Sequence, residues 1–257
     1  MPGPSMFDLS GRKAVVTGAN RGIGRQIAEA LAAAGADVAI TARHAETLRE
    51  TAATIEKLGR RAVSLALDVT DIEACRQQIA TAAEALGGLD ILVNNAGTEE
   101  VRPSLDVDEA LWDRILDTNL KGAFFCAQAA ARHMVDTRSK GAILNLCSLT
   151  SEVGIPGAVP YGSSKSGLLG MTRALATEWA PLGIRVNAVA PGYFRTSMTE
   201  IFYRNDAWRD AMLDKIPLGR FGDLHDLAGA AVFLVSDAAA YITGQCLGID
   251  GGYLASI

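Results

Sequence analysis

Short, continuous apolar runs alternate with longer segments of helical period along the whole chain. Ala14-Val15-Val16-Thr17 reads as a buried strand. The next segment, Arg21 to Ala34, repeats apolar residues at Ile23, Ile27, Ala30, Leu31 and Ala34, and Gly35 stops it as a helix. A second strand, Val38 to Thr41, is followed by a helix over Ala45 to Leu58 that Gly59 closes. The pattern continues with strand Ala62 to Leu67, helix Asp71 to Leu86 and strand Asp90 to Val93. One longer helical region is expected from about Asp108 to Val135. Then come strand Ala142 to Leu146, a helix from Tyr161 to Ala180 and strand Ile184 to Val189. Two polar-faced helices within 206–235 and a last strand near Gln245 to Ile249 complete the order.

Strands that are apolar on every residue are buried on both faces, which means a parallel sheet covered by helices on each side. Right-handed crossovers then give a doubly wound Rossmann arrangement. The expected fold is a single α/β domain over residues 1–257 with a seven-stranded parallel sheet. Residues 1–6, rich in Pro and Gly, read as a leader segment without the charged and apolar regions of a signal peptide. The stretch from Tyr193 to Arg220 fits no sheet element and carries Met198, Ile201, Phe202, Tyr203 and Trp208. An amphipathic segment of that kind is expected to form a substrate lid over 193–220.

Composition narrows the function classes. Among 257 residues, 49% are apolar and 21% charged, which suits a globular enzyme and argues against disorder. The net charge of −5 gives no reason to seek nucleic acid or an anionic membrane. No apolar run approaches the ~18 residues of a membrane span. The four cysteines and three histidines are scattered, with no metal-ligand spacing, so no metal site is expected. Free thiols and the lack of an export signal point to a cytoplasmic protein.

Candidate chemistry begins after the first strand. Thr17-Gly18-Ala19-Asn20-Arg21-Gly22-Ile23-Gly24 joins strand to helix. Glycines there allow a tight turn and close backbone approach to a pyrophosphate, while the helix N-terminus offers free N–H groups. Asp68, with Val69 beside it, closes the third strand, where a carboxylate can accept from an adenine amino group. It can equally neighbour a helix cap. Asn94-Asn95-Ala96-Gly97 ends the fourth strand and suits either adenosine contacts or a sheet-stitching role for Asn95. A carboxylate at the end of the second strand, about 20 residues past the glycine motif, would bind a ribose hydroxyl. Here Ala42 stands in that place, followed by Arg43, with Arg21 inside the glycine loop. Two guanidiniums without a carboxylate suit a 2′-phosphate, so NADP(H) is the expected cofactor.

The second half supplies acid–base groups. In Tyr161-Gly162-Ser163-Ser164-Lys165 the phenol and ammonium are four residues apart and share a helix face. A cation beside a phenol favours its ionised form. Ser148 closes the strand that precedes this helix, at the carboxyl end of the sheet where open α/β sites lie, thirteen residues before Tyr161. Asn119 interrupts an apolar helical run, where asparagine is disfavoured without a task, and a water held between Lys165 and solvent is one such task.

Taken together, these motifs resemble the short-chain dehydrogenase/reductase family from about Leu9 to Leu254. The resemblance implies a catalytic tetrad of Asn119, Ser148, Tyr161 and Lys165. Tyr161 would exchange the proton, Ser148 would polarise the substrate, Asn119 would support a proton relay, and Lys165 would also hold the nicotinamide ribose. It further implies that Ile23, Pro191 and Gly192 pack near the nicotinamide and that Thr196 contacts its carboxamide. A homotetramer is implied as well, with the ending Gly248 to Tyr253 as an interface tail. The stretches Leu146 to Gly154 and Ala190 to Thr199 are similar to the gluconate 5-dehydrogenase and 2-deoxygluconate dehydrogenase branch, which implies a sugar acid or polyol as the small-molecule substrate. Glu152, Arg102 and Arg195 would then bind hydroxyls or a carboxylate. Other readings are a 3-oxoacyl carrier-protein reductase, a broad ketone reductase, and a non-catalytic NADP(H)-binding sensor. A sensor would be expected to lack Tyr161 or Lys165, and both are present. Enoyl reduction is disfavoured, because that branch spaces its Tyr and Lys more widely.

Overall fold

A computed structural model describes residues 6–195 and 203–257. Seven strands are hydrogen-bonded in one parallel sheet: β1 Lys13–Val16, β2 Asp37–Ala42, β3 Ala62–Ala66, β4 Ile91–Asn94, β5 Gly141–Leu146, β6 Ile184–Pro191 and β7 Cys246–Ile249. Their spatial order is β3-β2-β1-β4-β5-β6-β7. The direction of winding reverses between β1 and β4, so a crevice opens at the carboxyl ends of those two strands. The expected seven-stranded doubly wound sheet is what forms.

Helices α1 Gly22–Ala33, α2 Arg49–Lys57, α3 Ile72–Leu86, α4 Glu109–Leu116, α5 Gly122–Asp136, α6 Val159–Trp179, α7 Asp206–Leu213 and α8 Leu224–Val235 connect the strands or follow them. Alternate strand residues serve two cores. Val16, Ile40, Val93 and Leu144 pack with Ile27 and Leu31 of α1 and Leu234 of α8. Val15, Ala39, Leu92 and Ile143 pack on the opposite face with Ile79 of α3, Met134 of α5 and Trp179 of α6. This two-sided burial is why the strands lack polar alternation.

Two expectations need correction and a third needs refinement. The helical region expected over 108–135 is continuous but irregular: α4 and α5 are joined by a π-type turn at Asp117–Lys121 that includes Asn119. Helix α6 starts at Val159, before Tyr161, because Pro160 suits a helix's first turn. The second helix of 206–235 is not polar-faced. After its Asp223 cap, α8 carries only His225 and Asp226 as charged or titratable residues, and it packs on α1 through Leu227, Ala231 and Leu234.

Candidate active site

The glycine loop leaves β1 and runs directly beneath the end of β4. Asn95 Nδ2 donates to the carbonyls of Thr17 and Gly18, each at 2.9 Å. The Thr17 hydroxyl accepts from the backbone N–H of Asn95 and of Ala96, both at 3.0 Å. The Asn95 side chain therefore takes the sheet-stitching role of the two that its sequence position allowed. Glycine is required here by contact: a Cβ on Gly24 would lie 2.3 Å from Asn95 Nδ2 and 2.4 Å from the Gly18 carbonyl oxygen. Gly18 also sits at φ +65°, in the left-handed region. Ala19 N–H bonds the Thr41 carbonyl at 2.9 Å, which ties the loop to the end of β2.

Those bonds leave a cradle at the start of α1. Arg21 is the cap residue, and its side chain makes no capping bond, so the first N–H groups of α1 are not met by the cap side chain. Helices α3, α4 and α8, by contrast, are capped by Asp71, Asp108 and Asp223. Arg21 and Arg43 are both exposed and neither is ion-paired among the described residues. Asn20, Gly22 and Ile23 line the same turn, half-buried. Asp68 accepts from the Thr70 hydroxyl at 2.8 Å and its N–H at 3.0 Å through one oxygen. Its neighbour Val69 is buried. Asp71, not Asp68, caps the following helix. Open N–H groups, two uncommitted guanidiniums and a loop with no room for a side chain at Gly18 or Gly24 fit a dinucleotide phosphate backbone. Pro191 and Gly192 stand at the end of β6, with Gly192 N–H on the Ile249 carbonyl at 2.9 Å. Thr196 and most of the expected lid core, 196–202, lie outside the described residues.

The acid–base groups converge where β4, β5 and α6 meet. Lys165 is 5% exposed, and its Nζ donates to the Leu146 carbonyl at 2.6 Å. Nζ stands 5.6 Å from the centre of the Tyr161 ring. Burial lowers the ammonium's pKa to about 8, against the opposing influence of Cys147 and Glu99. Burial likewise pushes the Tyr161 phenol well above its ordinary range, the Glu99 charge adds to this, and the Ser148 hydroxyl works the other way. Ser148 lies two residues past β5, at the start of the turn Leu149–Ser151, and its oxygen accepts from the Thr150 N–H at 3.2 Å.

The Asn119 side chain is bonded within the protein on every donor. It is 1% exposed, and both amide hydrogens are committed: one to the Thr98 carbonyl at 2.9 Å, the other to Ser164 Oγ at 3.0 Å. Its Oδ1 accepts the Thr98 N–H at 2.8 Å. Ser164 in turn donates to the Tyr161 carbonyl at 2.7 Å. These bonds lock the strand β4 exit onto α6. The π-type turn is what swings it inward, a form that recurs at functional sites.

Arg102, one of the charges expected to meet a substrate, is ion-paired. Glu100 holds it on one side and Asp108 at 2.8 Å on the other. Glu152 borders a cavity of about 420 Å³ with Val153, Ala190, Cys246 and Leu254, and none of the four tetrad candidates lines it. The half-buried Glu99, whose charge reaches both Tyr161 and Lys165, was not anticipated. The only hint in the sequence was its place just past Asn94 to Gly97.

Comparison with known proteins agrees with this arrangement. Residues 18–254 match the family described as enoyl-(acyl carrier protein) reductase. A gluconate 5-dehydrogenase of Gluconobacter oxydans is 40% identical over 257 residues, covering 100% of both chains. A 3-oxoacyl-[acyl-carrier-protein] reductase of Staphylococcus aureus is 41% identical, covering 94% of this chain and 97% of that one. Among solved structures, a putative short-chain alcohol dehydrogenase from Sinorhizobium meliloti is 70% identical with a TM-score of 0.97, covering 98% and 100% of the two chains. A putative 2-deoxy-D-gluconate 3-dehydrogenase from Agrobacterium tumefaciens, solved with bound NADP, is 45% identical with a TM-score of 0.92, covering 98% and 99%. Full-length likeness in sequence and backbone, on top of a Tyr-x-x-x-Lys helix facing a glycine loop, places the chain in the short-chain dehydrogenase/reductase family of oxidoreductases.

Proposed function

We propose that this protein interconverts a ketone and a secondary alcohol on a polyhydroxylated carbon chain, a sugar acid or a polyol, with NADP(H). The carrying observation is the buried Lys165, fixed on the Leu146 carbonyl beneath the Tyr161 ring with Ser148 at the neighbouring strand end. Bound NADP(H) supplies the hydride in reduction and accepts it in oxidation. In reduction Tyr161 gives its proton to the carbonyl oxygen as the alcohol forms, and a phenol held neutral by burial is in the right state to do so. Ser148 donates to the same oxygen and stabilises its developing charge. Lys165 keeps the phenol ionisable in the reverse direction and holds the ribose hydroxyls. Asn119 positions the segment after β4, while Asn95, Ala96 and Gly97 shape the floor of the cofactor cleft. Arg21 and Arg43 take the 2′-phosphate. The likeness to gluconate and deoxygluconate dehydrogenases supports the polyhydroxylated substrate, and the NADP-bound relative supports the cofactor.

The segment 193–220 serves as lid, with Tyr193, Tyr203, Trp208 and Phe221 packing edge-on or stacked as its described base. Strand β7 forms the sheet edge with Leu247 exposed, which supports assembly as a homotetramer. No helix among the described residues is long and apolar enough to cross a membrane. A cytoplasmic carbonyl reductase is the reading these features favour.

The test follows NADPH and NADH absorbance separately against 5-keto-gluconate, fructose, an acetoacetyl thioester and an aryl ketone. The wild-type protein is expected to reduce a polyhydroxy ketone with NADPH, and Tyr161→Phe to lose turnover while still binding NADPH. Undiminished turnover by Tyr161→Phe would remove the assignment, and thioester reduction alone would replace the substrate class with an acyl carrier.

A further inference from the structure

One carboxylate at the site has no part in the chemistry above. Glu99 follows Thr98, whose N–H and carbonyl are both held by Asn119. The segment passes close to the ammonium: a Cβ built on Gly97 would stand 3.8 Å from Lys165 Nζ. The next residue, Glu100, turns outward to the guanidiniums of Arg102 and Arg114. Glu99 is half-buried and makes no hydrogen bond or ion pair among the described residues. It lies two residues past Gly97 on the segment that passes Lys165 Nζ, and its charge acts on the Tyr161 phenol and the Lys165 ammonium alike. A partly buried carboxylate without a donor is unfavourable, and a ligand that supplies one gains by it.

We propose that Glu99 is a specificity-determining residue: it accepts a hydrogen bond from a substrate hydroxyl on the carbon next to the reacting carbon and excludes a carboxylate from that place. This rests on the reductase reading above. The reacting oxygen belongs to Ser148 and Tyr161, so Glu99 meets the adjoining group. An ionised carboxylate only accepts, and O–H donors to it form charge-assisted bonds. A substrate carboxylate there would face like charge, and Arg102, already shared by Glu100 and Asp108, is not free to neutralise it. A substrate ammonium would face the Lys165 ammonium instead. The site therefore selects a terminal hydroxymethyl neighbour. A sugar acid still fits when its carboxylate lies several carbons from the reacting one.

The experiment compares three matched ketones with NADPH: 5-keto-gluconate, its 6-deoxy analogue, and the dicarboxylate 5-keto-glucarate. These place a hydroxymethyl, a methyl or a carboxylate beside the reacting carbon. Wild type is expected to favour the hydroxymethyl ketone over the methyl ketone by roughly tenfold to a hundredfold in kcat/KM, the range of a hydrogen bond to a charged group. Glu99→Ala should bring that ratio close to unity. Glu99→Gln, whose amide oxygen still accepts, should keep part of the ratio while admitting the dicarboxylate. A merely structural role would lower all three substrates together and leave the ratios in place. Ratios unmoved in Glu99→Ala overturn the assignment alone. Wild-type reduction of aryl ketones or thioesters with none of 5-keto-gluconate overturns the polyhydroxylated substrate class and this inference with it. A wild-type protein that reduces no ketone at all overturns the reductase reading and this inference with it.

Discussion

Replacing Asn119 by alanine separates a positioning side chain from a proton-relay one. The variant loses three bonds, to the Thr98 N–H, the Thr98 carbonyl and Ser164 Oγ, at 2.8, 2.9 and 3.0 Å. At a net value of about 1 kcal/mol each, the loss is about 3 kcal/mol, and more if the Thr98 groups find no water. For a domain of this size that lowers Tm by roughly 6–12 °C. Thermal unfolding followed by circular dichroism, at one protein concentration, measures it. Catalysis should fall as well, because Thr98 and Glu99 lose their anchor to α6. Asn119→Asp sharpens the test. Its carboxylate can still accept from Thr98 N–H but lacks both donors and faces the Thr98 carbonyl oxygen. Burial and that repulsion raise its pKa in the folded state above the unfolded value. The folded state then binds more protons, so the destabilisation of Asn119→Asp shrinks as pH falls through the raised value. A relay that acts only through a bound water predicts impaired turnover with Tm unchanged in Asn119→Ala. A shift below about 1 °C would refute the positioning argument, since three bonds of that geometry cannot vanish so cheaply.

Other expectations rest on single observations. Arg43→Asp should lower the NADPH-to-NADH ratio of kcat/KM by at least about tenfold, the worth of one charge-assisted phosphate contact, and an unchanged ratio would show that Arg43 is only a solvated residue. The buried Lys165 releases its proton near pH 8 in the folded, cofactor-free protein but near its ordinary value when unfolded. Between those values the unfolded state binds more protons, so wild-type stability should rise with pH relative to Lys165→Met, by about 3 kcal/mol in all; parallel pH curves for the two proteins would contradict it. Mass measurement in solution should give a tetramer, and a monomer at micromolar concentration would count against β7 as an assembly edge.

The fold was largely legible because burial on both faces writes itself directly into composition: Ala14 to Val16, Val38 to Thr41 and Ile143 to Leu144 admit no polar alternation, and only a helix-covered parallel sheet accepts that. The glycine loop was legible for a similar reason, since Gly24 has no room for a single carbon beside Asn95. What the pattern could not carry were properties decided by partners distant in sequence. The run from Asp108 to Val135 keeps helical spacing through Asp117–Lys121, because a π-type turn inserts no breaker residue; the inward Asn119 was its one trace. Arg102 looked free because a sequence does not say which way its acidic neighbours turn, and Glu100 and Asp108 both turn toward it. The same turn of Glu100 toward Arg102 and Arg114 leaves Glu99 as the carboxylate whose charge reaches Tyr161 and Lys165. Adjacent residues of one kind thus part into a surface ion pair and a site group. Asn119 fixes the division, because it pins both polar groups of Thr98 and so sets which of the two following carboxylates lies beside Lys165.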